Sequence, residues 1–551
     1  MIYLLVFFTS LIITIIITPL LLYIIESRLP AILGKQESVE NKNINYLGGI
    51  IIFLSAIITL NAFTENFSDI KSLIIAAAIL VFSGIIDDYI GIKKILRFIL
   101  QNTAAIIFII FLKNFYETVS IFGLILENPF DYLFLIVFIT AIINALNIMN
   151  KLEGLASGFS LIVFSYLFML SLLANNDFTM KLNLIMLGTS LGFVRYNKFS
   201  SKLKLGATGS MLLGLFILFS AFNISINHET KVLDLTFPLL LLGVPIVFLI
   251  KFFILFFSNR YEKYKLDINN LSNIITGGLT KNIGTLFLIE IFTLLFILIS
   301  LAYYYNYKTY AIISFLISLI FTIGLKTFFS ELDFANKLNL FSRYIHSISI
   351  KNLSKLKKSA LIISGIIIIS IIIVSYPLKT NLTERELLFL LIGITLLLVL
   401  QFFQISKNKS FNNIIIFLNL TIFFILTRLS LFTLQELDYD LSFYQFYHDF
   451  AYYLLSIILV ASIIMRWKLE MSYELLFSET DVTLIIIMLL LFILNKAVGF
   501  DTNYYLSFSL LEAFIFYIWI KLVLDTKQEL KIPLLVLSFL IPITAISTLI
   551  I

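Results

Sequence analysis

The chain contains no cysteine and only three histidines among its 551 residues. Disulfide bonds and thiolate metal sites are therefore excluded, because both need cysteine side chains. The three histidines, His228, His346 and His448, stand far apart and do not indicate a metal cluster.

Charged residues are also scarce. They make up 13% of the chain, whereas apolar residues make up 60%, and a soluble domain carries roughly a quarter charged residues. No soluble fold hides so much apolar surface, so the composition predicts an all-α, polytopic membrane protein. The net charge of +6 does not indicate a nucleic-acid partner, because basic residues collect in the cytoplasmic loops of membrane proteins.

Long apolar runs fill most of the chain. A transmembrane helix needs about 20 mostly apolar residues, and on this measure the sequence predicts about 18 such helices in two bundles. About eleven lie in a first membrane domain, residues 1–327, and about seven in a second, residues 360–551. The predicted spans of the first domain are 2–25, 48–62, 71–86, 95–112, 131–149, 155–174, 181–194, 205–224, 234–257, 282–304 and 308–327.

Basic residues predict the orientation of these spans. When the N-terminus is placed outside and the spans alternate, most lysines and arginines fall in cytoplasmic loops, as the positive-inside rule requires. The basic segment 328–359 then becomes a cytoplasmic linker between the two domains. Its apolar residues are interleaved with Arg343, Lys351 and Lys355, which suits an amphipathic helix on an anionic leaflet. An ordinary solvated loop fits the same composition.

Polar residues inside membrane spans are costly and indicate function. Four polar segments fall at predicted cytoplasmic span ends: 83–101, 144–158, 195–210 and 267–273. If the second segment is helical, Asn144, Asn147, Lys151 and Gly154 share one face, with Asn150 beside them.

The order and spacing of these segments resemble the polyprenyl-phosphate N-acetylhexosamine-1-phosphate transferases over roughly residues 1–325. The resemblance rests on six short motifs in the right order. They are Leu47-Gly48-Gly49 for L-G-G, Asp87-Asp88-Tyr89-Ile90-Gly91 for D-D-x-x-G, Asn144-Ala145-Leu146-Asn147 for the start of N-A-x-N-x-x-D-G-x-D-G, Gly192 to Asn197 for G-F-L-x-x-N, Gly206 to Ser210 for G-D-x-G-S, and Leu242-Gly243-Val244-Pro245 for L-G-V-P.

The resemblance implies a reaction and a location. In this family a polyprenyl phosphate attacks the β-phosphate of a UDP-sugar, UMP leaves, and Mg²⁺ neutralises the diphosphate. These enzymes work in cell-envelope polysaccharide synthesis at the bacterial cytoplasmic (inner) membrane. A membrane lipid such as polyprenyl phosphate, a UDP-sugar and envelope-assembly proteins are therefore the implied partners.

The acidic positions of the motifs are altered. Asn150 and Glu153 stand at the two aspartates of D-G-x-D-G, Lys151 at its first glycine, and Ala207 at the aspartate of G-D-x-G-S; the histidine loop is replaced by 270–273, which has no histidine. Asparagine cannot accept a proton and alanine offers no ligand atom. The sequence therefore assigns no catalytic residue. Any Mg²⁺, needed only if catalysis persists, would depend on Asp87, Asp88 and Glu153.

Several polar and small residues remain as candidates for substrate binding, and each has a structural alternative. The aspartates could instead pair with Lys93, Lys94 or Arg97, the asparagines could be interhelical hydrogen bonds, and the glycines could only allow close packing. Lys151 could replace the missing cation beside the carboxylates, or extend to the interface. The candidates are Asp87, Asp88, Asn144, Asn147, Lys151, Asn197, Gly206, Gly209 and Ser210.

Three functions from different classes are compatible with the sequence. The first is a catalytically impaired relative that still binds lipid phosphate or nucleotide-sugar. The second is an active transferase with a rearranged site. The third is a transporter, flippase or scaffold acting through the C-terminal spans, where Glu512 lies near a span centre and such intramembrane charges are commonly functional.

Overall fold

The computed structural model divides the chain into two compact units, Met1–Glu331 and Leu332–Ile551, which are described separately. In the first unit the structure describes residues 2–28, 46–64, 70–89, 91–151, 154–197, 203–227, 229–257 and 282–331. In the second it describes residues 360, 363–368, 371–372, 419–428, 430, 451–452, 454–459, 462, 504–526, 540–543, 545–546 and 549. Most of the predicted linker, residues 332–359, and the predicted histidine-loop position 267–273 lie outside these ranges.

The first unit is a helical bundle built from the predicted apolar runs. Its helices are α1 Ile2–Arg28, α2 Gly48–Phe63, α3 Lys71–Tyr89, α4 Lys94–Leu112, α5 Phe130–Met149, α6 Leu155–Leu173, α7 Asp177–Asn197, α8 Gly206–Ser225, α9 Thr236–Leu241, α10 Gly243–Phe257, α11 Asn282–Tyr304 and α12 Lys308–Glu331. Within the described residues, six helices (α1, α3, α4, α5, α6 and α8) are long and apolar enough to cross a membrane. The chain is thus a multi-pass membrane protein, while the total of about 18 spans stays a prediction.

Helix α8 is the centre of the bundle. Every residue from Gly206 to Asn223 is buried, as expected of a helix that is apolar on all sides. The helices that surround it are α2, α3, α5, α6, α7 and α9. Because polar Ser210 and Thr208 lie in its first turns, this central helix brings polar groups to one end of the bundle.

A small sheet closes the opposite end, so the expectation of an all-α fold is incomplete. The strands are β1 Thr118–Ile121, β2 Leu124–Leu126, β3 Ile226–Asn227 and β4 Val232–Asp234, in the order β2-β1-β4-β3 with β1 and β4 parallel. On this sheet end Lys231 Nζ donates a hydrogen bond to Glu117 Oε1 at 2.6 Å and lowers the pKa of that carboxyl. Strands of two to four residues are too short to show a clear alternation of apolar and polar residues.

The structure also corrects three predicted boundaries. The single span predicted over 234–257 is two helices, α9 and α10, which meet at Leu242. Pro245 lies in the first turn of α10, where a missing N–H costs no helical hydrogen bond. Helix α5 ends at Met149, so segment 144–154 is not one helix; Gly154 has a φ of +85° and precedes α6. Helix α12 continues to Glu331, beyond the predicted end at 327.

In the second unit, two described helices are joined by a buried ion pair. They are α13 Asn419–Arg428 and α14 Tyr504–Thr526. Phe424 and Phe516 pack with ring centroids 4.9 Å apart, inside an apolar cluster that includes Leu455. Arg428 forms an ion pair with Glu512, whose side chain is 2% exposed. Glu512 therefore has an ionic partner, Arg428, which the sequence did not predict.

Candidate functional site

Asp88, near the end of α3, binds the N-terminus of the central helix. Its Oδ1 accepts a hydrogen bond from the backbone nitrogen of Ala207 at 2.9 Å. Its Oδ2 accepts hydrogen bonds from the Thr208 backbone nitrogen at 3.2 Å and from Thr208 Oγ1 at 2.8 Å. A carboxylate in this position satisfies the unpaired N–H groups of the first helical turn and compensates the positive end of the helix dipole. Asp88 is thus held as a cap of α8.

Two glycines make this contact sterically feasible. A Cβ at Gly84, one turn before Asp88, would lie 2.6 Å from the backbone nitrogen of Thr208, so a larger residue would push α3 away from α8. Gly206 has a φ of +72°, and a Cβ there would lie 2.5 Å from Asp88 Oδ2. Glycine tolerates this left-handed conformation without steric cost. The glycine of the fifth motif is therefore explained by local geometry.

Asp87, the neighbouring carboxylate, points in a different direction and pairs with Arg97. Arg97 Nη1 lies 2.9 Å from Asp87 Oδ2, and the two side chains are 30% and 18% exposed. This pair joins the end of α3 to the first turns of α4. Lys93, Lys94 and Arg97 were the basic residues that the sequence offered as partners. Arg97 forms this bond, because the first turn of α4 brings it back toward α3.

Amide side chains connect α4 to α5 beside this ion pair. Asn144 Nδ2 donates to Gln101 Oε1 at 2.8 Å, and Gln101 Nε2 donates to Asn144 Oδ1 at 3.2 Å. Gln101 is 1% exposed, so the reciprocal pair satisfies amide groups that would otherwise be buried at a cost. One predicted alternative for Asn144, an interhelical hydrogen bond, is thus present in the structure.

Asn150 connects the end of α5 to the start of α8. Its Nδ2 donates a hydrogen bond to the carbonyl oxygen of Gly206 at 2.8 Å. An ionised aspartate could not make this bond, since it has no proton to donate. Nearby, Ser210 Oγ lies 3.3 Å from Asn147 Oδ1 and also donates to backbone carbonyls within α8. The polar segments around Asp88, Asn147 and Gly206 therefore meet at one end of the bundle.

A cavity of about 860 Å³ lies between α4, α5 and α10 at this end. Its polar part contains Asp87, Arg97, Asn144, Asn147 and Lys151, and its apolar part contains side chains from all three helices. Four of the apolar side chains, Ile95, Phe98, Val137 and Phe253, are more than half exposed on the outer surface of the bundle. The apolar lining residues are Ile92, Ile95, Phe98, Val137, Ala141, Ile148, Leu249, Phe252 and Phe253.

The predicted magnesium ligands do not form a metal site in the described part of the chain. Asp88 is engaged by the α8 N-terminus, Asp87 is paired with Arg97, and Ala207 has no ligand atom. Across the described ranges, no three acidic or histidine side chains come together. Mg²⁺ requires several well-placed oxygen ligands, which these residues do not offer. The third predicted ligand, Glu153, lies outside the described residues.

The structure places the predicted site residues in two neighbouring groups. Asp87, Asn144, Asn147 and Lys151 line the cavity. The others contribute to the helix junction beside it: Asp88, Asn150, Gly206, Ala207 and Ser210 by hydrogen bonds, and Gly209 by close packing against Gly49. Asn197 ends helix α7, and its side chain lies outside the description.

Some site residues are not among the candidates predicted from the sequence: Arg97, Gln101 and Thr208. The same is true of Leu249, Phe252 and Phe253, through which α10 lines the cavity. The spacing of i, i+3 and i+4 places these three on one helix face. That signal is shared with every apolar helix of the chain, so it could not single out a cavity.

The fold and the site define a class of protein: a multi-pass membrane protein with an amphipathic cavity at one end of its helices. Comparison with known proteins identifies the family. Residues 70–225 match the model of glycosyl transferase family 4, a range that contains the α3–α8 junction and most of the cavity lining.

Curated relatives agree with this match. A phospho-N-acetylmuramoyl-pentapeptide-transferase of Staphylococcus aureus (strain bovine RF122 / ET3-1) is 30% identical over 221 residues, which cover 36% of this chain and 68% of that protein. A probable undecaprenyl-phosphate N-acetylglucosaminyl 1-phosphate transferase of Bacillus subtilis (strain 168) is 26% identical over 44% of this chain and 68% of its own length. A phospho-N-acetylmuramoyl-pentapeptide-transferase of Prochlorococcus marinus (strain MIT 9301) is 30% identical, and the match spans only 56% of its length. The chain belongs to glycosyl transferase family 4.

Proposed function

We propose that this chain binds a polyprenyl phosphate in the cavity between α4, α5 and α10, and that it does not transfer a sugar-1-phosphate. The proposed lipid binding is supported by the three relatives, all of which are named transferases and one of which has undecaprenyl phosphate in its name. It is also supported by the cavity, which combines the two parts that such a lipid requires.

The lining of the cavity suits a lipid with a phosphate head. Arg97 and Lys151 provide positive charge at its polar end, and phosphate oxygens accept charge-assisted hydrogen bonds from such groups. The exposed apolar side chains Phe98, Val137 and Phe253 extend the site onto the outer surface of the bundle. An isoprenoid chain can leave the cavity along this surface into the membrane, whereas a water-soluble nucleotide gains nothing from it.

One observation carries the loss of transfer: Asn150 donates its amide hydrogen to the Gly206 carbonyl at 2.8 Å. The resemblance assigns this position to an aspartate, and a general base must be able to accept a proton. An asparagine used as a hydrogen-bond donor cannot do so. Ala207, at the second altered acidic position, contributes only its backbone nitrogen, which is bound by Asp88. Losing members of a catalytic group commonly costs several orders of magnitude in rate.

We propose that the chain acts in cell-envelope polysaccharide synthesis at the bacterial inner membrane, as the resemblance implies. Its N-terminus then lies outside, as the distribution of basic residues predicts. Protein partners of envelope assembly fit a chain that binds the lipid carrier without modifying it. The second unit, with its buried Arg428–Glu512 pair, has no counterpart in the matched range and could supply contacts with such partners.

The test uses the purified full-length chain in detergent with undecaprenyl phosphate, a UDP-N-acetylhexosamine and MgCl₂. We expect binding of undecaprenyl phosphate to raise thermal stability, and no release of UMP above a heat-inactivated control. Asp87→Ala serves as a matched variant at the site. UMP release by the native chain that Asp87→Ala abolishes would establish an active transferase with a rearranged site and refute the proposed loss of transfer.

A further inference from the structure

We infer that a phosphate group in this cavity is bound by Arg97 and Lys151 themselves, without a divalent cation. This inference rests on the proposed binding of a phosphate-bearing lipid. It goes beyond that proposal because it assigns to two side chains of this chain the positive charge that Mg²⁺ supplies in the family's reaction.

The charges that line the cavity favour an anion even in the absence of metal. Among the lining residues that the structure describes, two cationic side chains, Arg97 and Lys151, face one carboxylate, Asp87, and the other polar ones carry neutral amide or hydroxyl groups. The second carboxylate of the motif, Asp88, is directed to the N-terminus of α8 and is not among the lining residues. An entering phosphate therefore meets an excess of positive charge.

Arg97 can hold Asp87 and a phosphate oxygen at the same time. Its Nη1 bonds Asp87 Oδ2 at 2.9 Å, and the side chain is partly exposed. A guanidinium carries five N–H donors in a fixed planar fork, so one edge can hold a carboxylate while another binds phosphate. Asp87 thus orients Arg97 and also competes with the ligand for its charge.

Lys151 lies where a cation is favourable. It follows the C-terminal end of α5, and the partial negative charge of a helix C-terminus stabilises an ammonium group. Lys151 is exposed and lines the same cavity as Asp87 and Arg97. At this position the resemblance assigns a glycine, so the lysine adds a cation in the part of the site where Asn150 and Ala207 stand at acidic positions of the motifs.

The test compares binding with and without metal, and its key variant is Asp87→Asn. If Asp87 holds Mg²⁺, removing its charge weakens phosphate binding. If instead Asp87 competes for Arg97, the same substitution strengthens binding by about two- to fivefold, in line with the small energy of a partly exposed ion pair. The two mechanisms therefore predict opposite signs for one substitution.

The dissociation constant of undecaprenyl phosphate is measured for the full-length chain in detergent, once with EDTA and once with MgCl₂. We expect the native chain to bind with equal affinity in the two conditions and Asp87→Asn to bind more tightly. Lys151→Ala and Arg97→Gln should each raise the dissociation constant about tenfold or more. Lys231→Ala is the control, because it removes a cation at the opposite, sheet end of the bundle, where Lys231 pairs with exposed Glu117. UDP in a parallel titration separates lipid phosphate from nucleotide phosphate as the ligand.

The outcomes distinguish this inference from the proposed function. Binding that requires MgCl₂ and is lost in Asp87→Asn would overturn the metal-free site and leave the proposed lipid binding intact. Absence of undecaprenyl phosphate binding in both conditions would overturn the proposed function, and this inference with it. Binding of UDP alone would assign the cationic site to a nucleotide and refute the lipid. Lys151→Gly, which introduces the residue expected from the resemblance, should behave like Lys151→Ala.

Discussion

Asp88 Oδ1 accepts a hydrogen bond from the backbone nitrogen of Ala207, with 2.9 Å between the two atoms. The resemblance assigns an aspartate to position 207, and a carboxylate there would stand next to that of Asp88. Like charges in a poorly solvated site repel unless a cation lies between them. Alanine removes this repulsion and allows α3 to contact α8 directly. The altered residue is therefore consistent with the surrounding structure.

Replacing Asp88 should destabilise the bundle. Asp88→Ala leaves the N–H groups of Ala207 and Thr208 buried and unpaired, which costs about 1–3 kcal/mol of unfolding free energy. Asp88→Asn should cost less, because the amide oxygen still accepts a hydrogen bond. Thermal unfolding in detergent measures both, with exposed Glu229→Ala at the sheet end as control. Equal stability of Asp88→Ala and the native chain would exclude the capping role.

Two substitutions of Asn150 should differ in how much they lower the stability of the chain. Asn150→Asp replaces an amide that donates to Gly206 by a carboxylate that repels the same carbonyl, so it should lower stability by about 1–3 kcal/mol. Asn150→Ala loses the bond without adding a charge and should be the milder change. Thermal unfolding without divalent cations reveals the order. A stability of Asn150→Asp above that of Asn150→Ala would indicate that a carboxyl at this position takes up a proton and donates it to the Gly206 carbonyl.

Much of the first unit could be predicted from the sequence, because each membrane span is a separate apolar run. The span predicted at 71–86 is helix Lys71–Tyr89, and the one at 205–224 is helix Gly206–Ser225. The break at Leu242 and the short strands were missed, since hydropathy does not register a turn within an apolar run or strands of two to four residues.

The sequence suggested which residues lie near one another at the site, but it did not suggest most of their hydrogen-bond and ion-pair partners. The sequence brought Asp87, Asn144, Asn147 and Lys151 together as candidates, and they line one cavity. The role of Asp88 was not predictable, because two of its three hydrogen bonds come from backbone N–H groups, which every residue except proline carries. The choice of Arg97 for Asp87 also depended on the direction in which α4 leaves α3, which is a tertiary property.

The contact between α3 and α8 should be sensitive to side-chain size at Gly84. A Cβ there would lie 2.6 Å from the Thr208 nitrogen, so Gly84→Ala should cost about 1–3 kcal/mol by overpacking. Gly84→Val should cost more. Ile75→Val on the exposed face of the same helix is the control and should change little. Unchanged thermal stability of Gly84→Val would show that the two helices do not pack this closely.

Replacing one member of the buried ion pair in the second unit should lower the free energy of unfolding. Arg428→Ala removes the ion-pair partner of Glu512, whose side chain is 2% exposed. The expected loss is about 3–5 kcal/mol, whereas replacing both residues by leucine should restore most of it. Unfolding of Arg428→Leu, Glu512→Leu and the double leucine variant gives the coupling energy. Additive effects of the two substitutions would contradict a direct ion pair.

Restoring both acidic positions should make the stability of the chain depend on magnesium. In Asn150→Asp/Ala207→Asp, two new carboxylates enter the junction next to Asp88, and their mutual repulsion favours protonation or unfolding when no cation is present. Oxygen ligands in this number are what Mg²⁺ requires. A metal that binds only the folded state stabilises it by about 2.7 kcal/mol at a hundredfold excess over its dissociation constant.

We therefore expect MgCl₂ to raise the unfolding temperature of the double variant and to leave that of the native chain unchanged. Ala207→Asp alone, which adds one carboxylate, should respond less. An equal response of the native chain would show that it already binds Mg²⁺, which would contradict the conclusion that the donors in the described part of the chain do not form a metal site.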